Sequence, residues 1–236
     1  MLKNKNRVLF IITVWLISCS ALVGQQNFSD FFIDFLRDPE TQFNYVQFPL
    51  KTDNNTVKNK ASYHPVTFLS RNHIPVICAD SLNAIMQFPS PIVSIFQFGK
   101  DVAASYVFEQ RNKNWKLISS KNENIQQLQE AEFLNFLTQY SNDESFQMKH
   151  TIFPFPSRIY NSPKRHDSEP ENKLLMPREW NSLDFTAIFP SLCIFNSNNQ
   201  APNRQIHVFR NGKAAQLFNF IRINKKWYLI EIEEYK

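Results

Sequence analysis

FEQRNKNWKLISS, residues 108–120, and FIRINKKWYLIEIEEYK, residues 220–236, share the pattern F-x-x-x-N-K-x-W-x-L-I. In each, an Asn-Lys pair (Asn112-Lys113, Asn224-Lys225) separates two β-prone runs and reads as a hairpin turn. Trp115 and Leu117, like Trp227 and Leu229, alternate onto one face of the strand that follows. The match extends backward. Gly99-Lys100 corresponds to Gly212-Lys213, and Asn211-Gly212 is a strong two-residue hairpin signal. Ala103 with Ala215, Tyr106 with Phe218, and Phe108 with Phe220 correspond after a one-residue gap. The chain therefore writes one antiparallel meander twice.

Elements upstream of each meander also match. In NFSDFFIDFLRD, Phe28, Phe31, Phe32, Phe35 and Leu36 fall on one stripe of a helix. Phe133, Phe136, Leu137 and Tyr140 repeat that stripe. Each helix precedes a β-prone run ending in Phe-Pro, QFNYVQFPL (Phe48-Pro49) and SFQMKHTIFPF (Phe153-Pro154), where the proline is expected to end the strand. Polar stretches follow, at 51–62 and 157–176, and read as exposed loops. A second helix is expected in each half: SLNAIMQF capped by Asp80, and PREWNSLDFTAIF with Pro177 in its first turn. The fold class is α+β, two tandem units of helices packed on a curved antiparallel sheet, at 25–120 and 121–236, behind a leader at 1–24.

Helices on an antiparallel sheet ending in NKNWKLI-type strands resemble the nuclear-transport-factor-2-like (ketosteroid-isomerase-like, cystatin-like) fold. The tandem form with its leader resembles a family of envelope proteins from the Bacteroides group, a domain of unknown function. The resemblance spans nearly the whole chain beyond the leader. It implies a fold, a compartment and lipidation, and no substrate, because its motifs are structural.

Composition removes several functions. The 236 residues hold 23 Phe and 3 Gly. With glycines only at 24, 99 and 212, no Walker loop, dinucleotide fingerprint or G-x-S-x-G elbow can be written. The net charge of +5 falls to about +2 once Lys3, Lys5 and Arg7 of the leader are set aside, leaving 23 basic against 21 acidic residues. That balance, with scattered Lys and Arg, does not fit a nucleic-acid partner.

The leader itself has a basic MLKNKNR and an apolar VLFIITVWLI, the pattern of a secretory signal. LISC, with Leu16 three positions before Cys19, resembles a lipobox whose cysteine is lipidated. The competing reading is cleavage near Gln25. Both make the protein exported, as an outer-membrane lipoprotein or a periplasmic protein that meets the membrane only through that anchor. In an oxidising space, Cys78 and Cys193 are either buried thiols or a disulfide joining the two halves.

No catalytic set, cofactor motif or metal-ligand spacing emerges. His64, His73, His150, His166 and His207 have no metal-type partner nearby in sequence. The candidate ligand-binding residues are Trp180, which has no counterpart in the first half, with Asp184 and Phe185. The function expected is a non-catalytic binding or interaction module for an envelope protein, a glycan or a small apolar ligand. The alternative is an enzyme acting on a small apolar or glycan-derived ligand inside one cone.

Overall fold

The computed structural model describes residues 27–53, 55–68, 73–79, 91–162, 169–195 and 201–236. Helix α1 (Phe28–Arg37) starts where the Asn27 side chain accepts a hydrogen bond from the Asp30 N–H at 2.8 Å. Its five-residue apolar stripe is buried. Asp38 ends α1 and caps α2 (Pro39–Tyr45). The same succession returns as α3 (Ala131–Asn142) and α4 (Glu144–Lys149), the latter capped by Asp143. QFNY and SFQMK, expected to be strands, are thus helical. The Asp caps and buried Gln42 and Gln147 outweigh the β propensity of their aromatics.

The strands are β1 (Val46–Lys51), β2 (Thr56–Val57), β3 (His73–Cys78), β4 (Ile92–Gln97), β5 (Val102–Arg111), β6 (Asn114–Asn124), β7 (Phe155–Tyr160), β8 (Glu171–Leu175), β9 (Ser191–Phe195), β10 (Asn203–Arg210), β11 (Lys213–Ile223) and β12 (Lys226–Tyr235). β6 runs four residues past the expected boundary at 120. Pro49 sits inside β1, and β7 begins after Pro154, both after cis peptide bonds. Proline does not end β1; the β1–β6 register shifts around it, as expected where a ladder donor is missing. The stretches expected as loops form edge hairpins, β1–β2 and β7–β8. Asn112-Lys113 and Asn224-Lys225 all have positive φ, the geometry of tight two-residue turns, and Gly212 (φ +79°) completes a third with Asn211.

Among the described residues the strands form one sheet, ordered β2-β1-β6-β5-β4-β9-β3-β10-β11-β12-β7-β8. Read inward from either edge, the two halves match, with one exchange. β9 of the second half pairs with β4 of the first, and β3 of the first pairs with β10 of the second. β3 and β9 lie side by side in parallel. The sheet is mixed rather than antiparallel, because β1–β6 and β12–β7 are parallel too.

The exchange places the cores on opposite faces. Ile74, Val76 and Cys78 join the cluster under α1, while the intervening Ile77 joins the cluster under α3. On β9, Cys193 and Phe195 face α1, and Leu192 and Ile194 face α3. Neighbouring residues of a strand point to opposite faces, so α1 and α3 cover opposite sides of one sheet. Both central strands are therefore apolar beyond their first residues, His73 and Ser191, as a strand covered on two faces must be. Cys78 and Cys193 are buried and not joined in a disulfide. Val76 is the register partner of Cys193, so Cys78 is a diagonal neighbour, typically about 7–8 Å away, too far for a disulfide.

Each core is closed by the same ring contact. Phe28 meets Trp115 at 4.9 Å and 70°, and Phe133 meets Trp227 at 4.9 Å and 63°. Phe108 and Phe220 stand edge-on to those helix rings at 5.4 and 5.2 Å. Trp227 is also flanked by two guanidiniums, Arg204 at 5.3 Å and Arg222 at 5.7 Å. Arg204 is buried with Glu130 at 2.6 Å. Trp115→Ala and Trp227→Ala are each expected to cost about 3–5 kcal/mol in denaturant unfolding. A near-neutral value for either would show that the ring does not close the core.

Candidate functional site

Outside these ring contacts, two open clefts sit at equivalent ends of the sheet. The segments rimming them are held by the same device. Buried Gln42 accepts a hydrogen bond from the Val66 N–H (2.7 Å) and donates to the Val66 carbonyl (2.9 Å). Gln147 accepts from the Leu183 N–H (2.9 Å) and donates to the Leu183 carbonyl (2.7 Å). Val66 leads to Thr67 at the first cleft, and Leu183 lies in the second.

The first cleft, about 420 Å³, is floored by Ile95 and Tyr106 and edged by Gln97, Asn122, Lys100 and Asp101. Burial pushes the Tyr106 phenol up to about 12, with the Cys193 thiol adding to the effect. The second cleft, about 350 Å³, lies at the same register. Gln216 faces Glu234 as Ala104 faces Asn122, and Arg210 faces His73 as Gln97 faces Ser191. Its floor is Phe218 and Ile232, and its rim includes Ile188, left 42% exposed. The Arg210 Nε–H donates to His73 Nε2 at 2.9 Å, so His73 accepts as the neutral imidazole. Burial and then the adjacent Arg210 hold it below the ordinary imidazole range. Through the strand exchange, a residue from the first half completes the second cleft.

The residues singled out from the sequence lie beside this cleft. Asp184 is the N-cap of α5 (Phe185–Ile188), and its carboxylate accepts from the Thr186 hydroxyl (2.5 Å) and the Ala187 N–H (3.0 Å). The Thr186 bond, followed by that from Ala187, lowers its pKa. Phe185 is fully buried against Phe218 and Tyr140. Trp180 packs on Phe153 and Phe155. The cleft is lined instead by Leu183 and Ile188, on either side of Asp184 and Phe185. The single helix expected from Pro177 is two pieces, a 3-10 turn at Pro177–Glu179 and α5, because Gln147 engages the Leu183 backbone between them. The helix expected after Asp80, the Cys19 lipobox and His166 lie outside the described residues. Among the described residues no group of three or more His, Cys, Asp or Glu could hold a metal, and no helix is long and apolar enough to cross a membrane.

The missed residues had a partial signal. Gln42 stands fourteen positions after Phe28, and Gln147 fourteen after Phe133. The clefts themselves had none, since His73 and Arg210 are 137 positions apart.

A family model for the domain of unknown function DUF4348 matches residues 21–234. The chain belongs to the DUF4348 family. Its DUF4348 fold is similar to the crystal structure of an NTF2-like protein from Bacteroides fragilis, with a TM-score of 0.66 and 16% identity, covering 90% of this chain and 97% of that one. At that identity the likeness shows the fold alone, a mixed α/β arrangement with a large sheet and few helices. No curated protein matches the chain.

On the opposite face of β10–β12 runs a polar row, where the first half carries a different one, Ser94–Ser105–Glu123–Lys121. Gln205 donates to Asn219 (2.8 Å), Asn219 donates to Glu231 (2.9 Å), and Arg158 pairs with Glu231 (2.9 Å). His207 Nε2 lies 3.0 Å from Gln205 Oε1. Burial lowers the His207 pKa to about 4. Above the unfolded value near 6.5 both states are neutral and stability is unaffected. Between 6.5 and 4 only the unfolded chain takes the proton, so stability falls as pH falls, by at most roughly 3 kcal/mol. Denaturant midpoints across pH 4–7 should show this slope in the wild type and a shallower one in His207→Gln. Parallel profiles would remove the assignment.

Proposed function

We propose that this protein is an exported cell-envelope binding module built from two tandem nuclear-transport-factor-2-like units. The observation that carries this reading is the filling of both cores by aromatic rings, which leaves an open cleft at the mouth of each. Catalysis gains from an enclosed, water-excluding site, whereas an open cleft with an apolar floor and a few polar groups suits binding. Tandem duplication is supported by the paired Phe–Trp contacts, the two glutamine clamps and the matching turns. Export rests on the basic and apolar leader, with Cys19 as the lipidated residue or cleavage near Gln25.

Two measurements test this. Cells fed an alkyne fatty acid should label the wild-type protein and not Cys19→Ala. An unlabelled wild type removes the anchor and leaves the cleavage reading. A thermal-shift screen of envelope peptides, glycans and lipids should return a ligand that raises Tm without being consumed. Turnover of that ligand would favour an enzyme acting on a small apolar or glycan-derived molecule.

A further inference from the structure

The second cleft carries two opposite charges that no ion pair among the described residues neutralises. Arg210 spends its Nε–H on the neutral His73 ring, and its terminal nitrogens hold no partner among the described residues. The Glu234 carboxylate and the Gln216 amide, both part-buried, likewise hold none there. These groups lie on adjacent strands, Arg210 on β10, Gln216 on β11 and Glu234 on β12. Strands are spaced about 4.8 Å apart, and Arg210 lies two residues along β10 from Val208, the partner of Gln216, so the two charged residues stand roughly 12 Å apart at the backbone. Between and behind them is an apolar surface of Leu183, Ile188, Phe218 and Ile232.

We propose that this cleft binds a short apolar peptide through both of its free termini. The carboxylate lies on the Arg210 guanidinium, oriented by His73. The ammonium lies on Glu234, the Gln216 amide meets the peptide group between them, and the side chains cover the apolar floor. A lone amino acid carries both charges on one carbon and spans less of this separation than a longer guest. A dipeptide or tripeptide, at about 3.5 Å per residue, spans more of it. A cavity of about 350 Å³ lies at the small end of ligand pockets, which span roughly 300–1,000 Å³, and limits the guest to that length. The corresponding positions of the first cleft are Gln97, Ala104 and Asn122, so neither charge is repeated there; the charged residues of that cleft, Lys100 and Asp101, are neighbours in the chain and do not reproduce this spacing.

The proposal rests on the binding-module reading and is tested apart from it. Titration calorimetry of the full-length protein with leucyl-leucine should give saturable binding. N-acetyl-leucyl-leucine amide, which lacks both charges, should not bind. Arg210→Gln and Glu234→Gln, both at accessible positions, should keep the wild-type Tm and each weaken leucyl-leucine about tenfold or more, the loss expected for a hydrogen bond to a charged group. Glu234→Gln should make no difference to N-acetyl-leucyl-leucine, whose ammonium is gone. Absence of saturable binding, equal binding of the capped peptide, or full affinity in both variants would overturn the proposal. If leucyl-leucine fails while another ligand from the screen perturbs the Leu183 and Ile232 methyl signals, the peptide is wrong and the binding reading stands.

Discussion

The structure depends on the parallel contact of β3 with β9. Each strand is supplied by one half of the chain and hydrogen-bonded to a strand of the other. This pair makes the sheet continuous, and its alternation divides the apolar side chains between two cores. A pair of strands exposed on either face could not be as apolar as HIPVIC and SLCIF. A pair covered on both faces has to be. The opposed placement of α1 and α3 and the burial of Cys78 and Cys193 both follow from it.

Around this centre the halves agree in their mechanics and differ in their chemistry. The Phe–Trp contacts and the Gln42 and Gln147 clamps are duplicated nearly atom for atom. Where the two clefts open, the residues diverge: Gln97 against Arg210, Tyr106 against Phe218, Asn122 against Glu234. Packing constraints hold the shared positions. The cleft positions are free of those constraints, and that is where specificity can reside.

Much of the architecture was legible in the sequence because its signals are local. A Phe stripe, an Asn-Lys turn and a Trp-x-Leu strand each act within a few residues, and repetition made them easy to recognise. The misreadings came where a distant partner decided the outcome. QFNY and SFQMK look β-prone until the buried glutamines, anchored 24 and 36 positions away, are seen to require a helical turn. PREWNSLDFTAIF looks like one helix until Gln147 takes the Leu183 backbone. Trp180, Asp184 and Phe185 were near the second cleft in sequence, yet each had structural work elsewhere. The groups that give the cleft its charge, Arg210 and Glu234, meet the neutral His73 only through a strand exchange that no local pattern records.

That exchange has a bearing on how the molecule is made. A ribosome delivers the first half with β3 complete and both of its edges unpaired, about 125 residues before β10 emerges. The first sheet likewise waits for β9 to cover the edge of β4. Neither half can finish as an autonomous unit, so assembly is a single late event, and an unfinished chain carries an open apolar edge that invites the wrong neighbour.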